Sequence, residues 1–429
     1  MRNRVRKLFV VGINLLVFLV LLSSIELYYR IWPPNVLADP SPNRLWQKFR
    51  AHVTLTVAPG TYDRWFNTFT KQSFPADIVT NSLGFNDRRE FEYSKPYVRA
   101  ANERIVLFTS ASAGWGIGST SDETTVAGQM QHYLNALQKE RKYTVINLSM
   151  VGWIAFQEFV GLELWGDAFG PDWIVVMDGV SDAVTGCGSS QGVGNPMFTA
   201  AIENQVNDYL FNIRRPDFYR GWLENEIVKY SAAYRGITGK QYVPDNRIFD
   251  QSSSDWSVVR RQIIPTKVGQ SREMLAFYLK SIRAILKLYP GAAYIISTQP
   301  MVNQFAGDFV DIYQSPPGTE AHRLAVARRE RELEAYLTAH EDEPCGQSTL
   351  QPSFAYVFAN GAIQLERLAD EMRGQGRRVE YANMGTLFPD PATERIPYFI
   401  DPAHLSDAGT DILGRFYADR ILAADATNH

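Results

Sequence analysis

Apolar positions along this chain fall into short continuous runs separated by stretches of helical spacing. Ile105–Phe108 is four consecutive apolar residues, which reads as a strand buried on both faces. The pattern recurs at Tyr143–Leu148, Trp173–Met177, Ala293–Ser297 and Val379–Ala382. Between these runs, Asp122–Lys139, Arg272–Lys287 and Ile363–Met372 carry helix-like spacing, and an amphipathic stretch follows Gly409 to about Leu422. Strands alternating with helices predict an α/β fold with an open, parallel, five-stranded sheet. Right-handed crossovers then place the strand-end turns along one edge, where such sheets hold their ligands.

Several stretches break the alternation. An insertion at about 186–270 opens with the glycine-rich Gly186–Gly194 and contains a helical, aromatic-rich segment, Asp208–Ala233. A second, at about 305–354, carries a charged helix from Glu320 to His340 whose centre, Arg-Arg-Glu-Arg-Glu, reads as a solvated face. From Pro33 to about Lys95 the chain lacks sustained periodicity and reads as an arm wrapping onto the body, with a turn at Asn81–Asp87. At the N-terminus, Arg2, Arg4, Arg6 and Lys7 precede an apolar run from Leu8 to Ile25. At ~1.5 Å per residue that run spans about 27 Å, close to a hydrocarbon core. The basic end predicts a cytoplasmic N-terminus, with Tyr28, Tyr29 and Trp32 at the far interface and the bulk of the chain extracytoplasmic, in the periplasm. A cleaved signal peptide is the rival, though Ser-Ser-Ile-Glu-Leu-Tyr-Tyr is not the small-x-small pattern that cleavage prefers. The expected organisation is a basic end with a transmembrane signal anchor over 1–32, a juxtamembrane arm over 33–100 and the main domain over 101–429.

Composition narrows the partners. A length of 429 residues with 45% apolar content supports a sizeable core, and a net charge of -3 offers no field for nucleic acid. The two cysteines, Cys187 and Cys345, leave a single disulfide open and show no metal-ligand spacing. His52, His132, His322 and His340 have no acidic or cysteine neighbours at ligand spacing, so no metal is expected. Gly114, Gly116 and Gly118 are spaced wrongly for a dinucleotide loop, so no cofactor is expected either.

Candidate chemistry sits at two places. After the first strand the chain breaks into Thr109-Ser-Ala-Ser112-Ala-Gly-Trp-Gly-Ile-Gly118, which puts a serine, Ser112 or Ser110, on a sharp strand-to-helix turn. Near the C-terminus stands Asp401-Pro-Ala-His404. A carboxylate three residues before a histidine can bend back onto Nδ1 and leave Nε2 free to take a proton from a serine.

These motifs together resemble the SGNH or GDSL-like hydrolase superfamily, in particular its bacterial membrane-anchored members. The resemblance runs from about Asn81 to the C-terminus, the two insertions apart. The family's nucleophile block aligns without a gap on Thr109–Gly118 and Ser121-Asp-Glu-Thr124 when Ser112 is the nucleophile, and Ser110 then fills a glycine position. The resemblance implies oxyanion donors at the backbone of Ser112 and of Gly152, which follows Asn147 at the second strand end. It implies a third donor at Ser181 of Gly179-Val-Ser-Asp182, where the family carries asparagine. Asp401 and His404 match its Asp-x-x-His block. The implied fold is a three-layer, flavodoxin-like sheet. The implied activity is hydrolysis or transfer of O-acyl groups of a glycan or lipid, without metal or cofactor. Because Ser110, Ala111 and Ser181 depart from the pattern, an interaction or assembly subunit with weak or no catalysis, working beside a membrane protein partner, is the alternative expectation.

Overall fold

The computed structural model describes mainly residues 46–50, 54–57, 60–186, 231–238, 249–250, 267–302, 319–344, 350–384, 387–389 and 392–427, with scattered helical residues between 18 and 28 and at 227 and 230. Two compact units result, residues 1–42 with 203–250 and residues 43–202 with 251–429. In the smaller unit the Glu26 carboxylate accepts from the Ser231 hydroxyl and from the N–H groups of Ala232 and Ala233, at 2.8–2.9 Å. It thereby caps the start of the helix Ala232–Thr238.

The larger unit is built on strands β1 (Glu103–Ser110), β2 (Lys142–Asn147), β3 (Trp173–Asp178), β4 (Ala293–Thr298) and β5 (Val379–Tyr381). All pair in parallel, in the order β2-β1-β3-β4-β5. This is the expected open α/β sheet with the flavodoxin-like order. In register, Leu107 of β1 lies between Ile146 of β2 and Ile174 of β3.

Alternation along these strands divides the core in two. Ile105, Leu107, Ile146, Ile174, Val176 and Ile296 share one cluster with residues of helices α3 (Ala155–Gly161), α5 (Ser271–Leu288) and α7 (Leu350–Gly374). Val106, Phe108, Val145, Val175, Met177 and Ile295 share the other with α2 (Val126–Leu137) and α8 (Asp407–Thr427). Helices α1 (Ser112–Trp115), α4 (Val180–Gly186) and α6 (Glu320–His340) complete this numbering. The result is three layers, because continuous apolar strands have two faces to cover. Helix α7 begins at Leu350, well before the apolar pattern from Ile363, so part of the expected second insertion is the start of a core helix.

The arm is more regular than its sequence suggests. Strands Trp46–Arg50 and Thr54–Val57 pair antiparallel, as do Thr61–Asn67 and Gln72–Val79. A bulge between Tyr62 and Arg64 shifts the register, and Pro75 sits inside the second strand of that hairpin, which hides period-two alternation from a sequence reading. Asn81–Asp87 is a turn as expected, yet it is buried, with Phe85 at 0% and Asn86 at 1% exposure. Among the described residues no helix is long and apolar enough to cross a membrane. Most of Leu8–Ile25, like Cys187, Cys345 and most of Asp208–Ala233, lies outside them.

The edge strand β2 is closed by side chains rather than by another strand. Asn135 of α2 donates to the Tyr143 carbonyl and accepts from the Tyr143 N–H, both at 2.8 Å. Gln131 accepts from Val145 N–H at 2.9 Å, and the Arg89 guanidinium donates to Val145 O at 2.6 Å. Replacing Asn135 removes two such bonds, so Asn135→Ala is expected to lower the unfolding free energy by about 1–3 kcal/mol. Urea denaturation checks this, and an unchanged midpoint would show that the amide does not support the edge.

Candidate active site

The site begins where β1 runs out. After Ser110 the backbone turns at Ala111, and Ser112 is the first residue of α1, a single helical turn closed by Gly116 at φ 106°. So short a helix leaves carbonyls without intrahelical donors. Two amides supply them: Asn147 Nδ2 donates to Gly114 O at 3.1 Å and Asn86 Nδ2 to Trp115 O at 2.9 Å. The Trp115 indole N–H donates in turn to Gly84 O at 2.9 Å, which seats the buried 81–87 turn under the serine.

Ser112 and Ser110 part company here. Ser110 is fully buried, and a Cβ added at Gly114 would lie 2.2 Å from Ser110 Cβ and 2.8 Å from its Oγ. The Ser110 hydroxyl is therefore packed against the inside of the turn. The Ser112 hydroxyl instead lies 2.7 Å from His404 Nε2.

His404 is held from behind. Its Nδ1 is 2.7 Å from Asp401 Oδ2, while Asp401 Oδ1 accepts from the N–H groups of Ala403 and His404 at 2.9 and 2.8 Å. Burial pushes the Asp401 carboxyl up, but the His404 imidazole and these N–H donors outweigh burial and hold it below the usual carboxylate range. The loop is also fixed across the sheet edge. Gln299, at the end of β4, donates from Nε2 to Ala403 O at 2.7 Å, and Val302 N–H donates to Pro402 O at 3.0 Å. The arm touches both halves of the site, with Trp65 Nε1 donating to Ser119 O at 2.6 Å and Thr68 N–H to Ile400 O at 2.7 Å.

The other expected residues stand at neighbouring strand ends. Gly152 follows β2 with φ 74°, and Ser181 lies in α4, just after β3, at 6% exposure. Since β2 and β3 flank β1, these two turns flank the serine turn. The sequence reading named Asn147 only as a strand-end marker, whereas it fastens the serine turn. Gln299, just past the end of β4, holds the histidine loop. The sequence reading also missed that Glu158, Asp178 and Asp182 are all fully buried. A carboxylate closing an apolar strand, Asp178, was the available signal. Among the described residues no cluster of His, Cys, Asp or Glu is arranged to hold a metal ion. A groove of about 840 Å³ beside β2, lined in part by Arg89, His132 and Asn147, has none of Ser112, His404 or Asp401 in its wall.

A serine, an imidazole and a carboxylate in one hydrogen-bonded chain can generate a nucleophile. No protein-family model matches the chain, and no curated protein is similar to it in sequence. Solved structures similar to this chain include esterases. An acetylxylan esterase from Geobacillus stearothermophilus is 12% identical with a TM-score of 0.33, over 74% of this chain and 94% of that one. A carbohydrate esterase family 2 enzyme from Corynascus thermopiles is 13% identical with a TM-score of 0.32, over 77% and 69%. A two-domain esterase active on acetylated mannans is 11% identical with a TM-score of 0.30, over 76% and 51%. Likeness at this level carries no argument about chemistry; the geometry at Ser112 does.

Gly118 is what lets the histidine loop approach. It sits at φ 97°, and a Cβ there would lie 2.1 Å from Leu405 O. Gly170, also left-handed at φ 54°, has nothing within 4 Å of an added Cβ. Gly170→Ala is therefore expected to cost about 1–2 kcal/mol for its backbone conformation alone. Gly118→Ala carries a comparable conformational cost plus an overpacking cost of about 1–3 kcal/mol. Equal losses in urea denaturation would mean that the contact with Leu405 is not tight.

Proposed function

We propose that this chain is a serine esterase of SGNH type that removes or transfers O-acyl groups. The observation that carries this is the Ser112–His404–Asp401 chain, with 2.7 Å at both of its side-chain links. In this reading His404 Nε2 takes the Ser112 proton as Oγ attacks the ester carbonyl, and then returns it to the leaving alkoxide. Asp401 holds the imidazole in the tautomer that presents a lone pair to Ser112 and stabilises the imidazolium that forms. The oxyanion would be received by the N–H groups of Ser112 and Gly152, with the Ser181 hydroxyl as third donor. Water, or a sugar hydroxyl in the transfer version, then accepts the acyl group.

The substrate class we assign is an ester-bearing glycan or lipid outside the cytoplasm. The basic end and apolar run Leu8–Ile25 support an uncleaved anchor over 1–32, the arm over 33–100 and the catalytic domain over 101–429. Replacing residues 1–32 with a cleavable signal peptide is expected to move the protein from the membrane pellet to the soluble extracytoplasmic fraction. Recovery of a shortened native chain in that soluble fraction would favour the cleaved signal peptide.

The decisive assay is labelling by a fluorophosphonate probe together with turnover of an aryl acetate and an acetylated xylo-oligosaccharide. Ser112→Ala is expected to abolish labelling and to lower kcat by at least about three orders of magnitude. Asp401→Asn should act in the same direction, and Ser181→Ala should cost about tenfold to a hundredfold in kcat if its hydroxyl serves the oxyanion. Ser110→Ala should remain labelled. A wild-type chain that neither labels nor turns over would favour the assembly-subunit reading, to which serine at position 181 lends its support.

A further inference from the structure

Behind the strand ends lies a group of side chains that the acyl-transfer reading does not use. Glu158 on α3, Asp178 at the end of β3 and Asp182 on α4 are exposed by 0%, 1% and 0%. Each belongs to an element next to a proposed oxyanion donor: α3 follows the Gly152 turn, and Asp182 follows Ser181 directly. Asp182 Oδ2 accepts from Ala155 N–H at 3.0 Å, joining the segment after Gly152 to the helix that carries Ser181. Glu158 Oε2 accepts from the Thr109 hydroxyl at 3.2 Å, joining α3 to the strand that delivers Ser112. Asp178 stands close enough to both other carboxyls for its charge to act on each.

The remaining oxygens have no conventional partner. Glu158 Oε1, both oxygens of Asp178 and Asp182 Oδ1 are buried and have no donor in full hydrogen-bond geometry among the described residues, although the Gly179 N–H lies close enough to Asp178 to oppose its upward shift. None of the three makes an ion pair with Lys, Arg or His among the described residues. Among the described residues the other titratable group facing them is Tyr278 of α5, at 1% exposure, whose hydroxyl has no partner there and which feels the charge of all three carboxyls. Thr109 of β1 is the neutral neighbour.

We propose that Glu158, Asp178 and Asp182 are positioning residues, a proton-sharing carboxyl cluster that ties the Gly152 and Ser181 turns to the serine strand and loosens them on losing its protons. The role rests on the esterase reading, since it acts through the oxyanion donors.

The physical basis is that three desolvated carboxylates without a cation cannot all ionise. Burial, followed by the charges of their neighbours, pushes Glu158 and Asp182 up, and burial pushes Asp178 up to about 7. Near neutral pH the cluster therefore retains protons, and each retained proton makes an O–H···O bond between two elements. Because the folded values are raised, this stabilisation is fully present below the ordinary carboxylate range and is lost as pH rises from there through the folded values, about 7 for Asp178. Above that range like charges repel across α3, β3 and α4. A Ser-His-Asp set alone needs only a neutral imidazole, so its kcat is level on the alkaline side. The cluster adds a falling limb.

Glutamine at position 158 keeps an acceptor for Thr109 and replaces the shared proton with a permanent N–H donor. With an aryl acetate as probe, wild-type kcat is expected to fall about tenfold between about pH 6 and about pH 9 with KM little changed. Glu158→Gln should hold kcat level over that interval, while Glu158→Ala, which leaves its neighbours unpaired, should fall at least as steeply as wild type. The same variants in a Ser112→Ala background, followed by thermal unfolding, should show a larger alkaline loss of midpoint with Glu158 retained than with Glu158→Gln. Activity that vanishes in Ser112→Ala, with a pH profile identical in Glu158→Gln and wild type, overturns the positioning role alone. Wild type without activity removes the esterase reading and the positioning role together, whatever the melting curves show. Rescue by glutamine but not alanine, seen in kcat and in the melting curves, supports the proposal.

Discussion

The close approach of the C-terminal segment to the serine turn is the constraint on which the site depends. Ser112 and His404 are 292 residues apart in sequence, and nothing local brings them together. The approach is made by small residues and short polar contacts. Gly118 faces Leu405 O, Gly409 faces Tyr398 O, and Gly414 faces Gln129, each where a Cβ would lie 2.1–2.4 Å from its neighbour. Thr120 donates to Asp407 and Tyr133 to Asp411, while Thr410 donates to Thr124 O at 2.6 Å. Helices α2 and α8 are thus locked together as one face of the sandwich, and the Asp401–His404 loop is carried to its place at the head of α8.

Three strand ends then converge on one place. β1 delivers Ser112, and its neighbours β2 and β3 deliver Gly152 and Ser181. β4 contributes Gln299 as a brace for the histidine loop. The hairpin Thr61–Asn67 with Gln72–Val79 holds Ser119 on one side and Ile400 on the other. What reads as an appendage of the main body is therefore part of the frame that sets the Ser112–His404 distance.

Much of this was legible in sequence because continuous apolar runs admit few alternatives. The runs at Ile105, Trp173 and Ala293 could be only strands covered on both faces, and an Asp three residues before a His carries its own geometry. The arm was not legible, since Pro75 and the bulge at Tyr62 break the alternation that marks a hairpin. Motif alignment alone favoured Ser112 over Ser110. Packing decides their surroundings, because Gly114 leaves room on only one side of the turn. The carboxyl cluster was invisible for another reason. Glu158 lies 20 residues before Asp178 and 24 before Asp182 in sequence, and only the sheet brings α3 against β3 and α4.

The side-chain closure of β2 bears on how the molecule meets copies of itself. A parallel sheet with a bare edge offers a template on which another extended segment can dock. Here the amides of Asn135 and Gln131 and the guanidinium of Arg89 already occupy the backbone groups of Tyr143 and Val145. A visiting strand would have to displace charge-assisted and paired bonds before forming its first ladder rung, so growth of the sheet by addition at this edge is blocked within the fold itself.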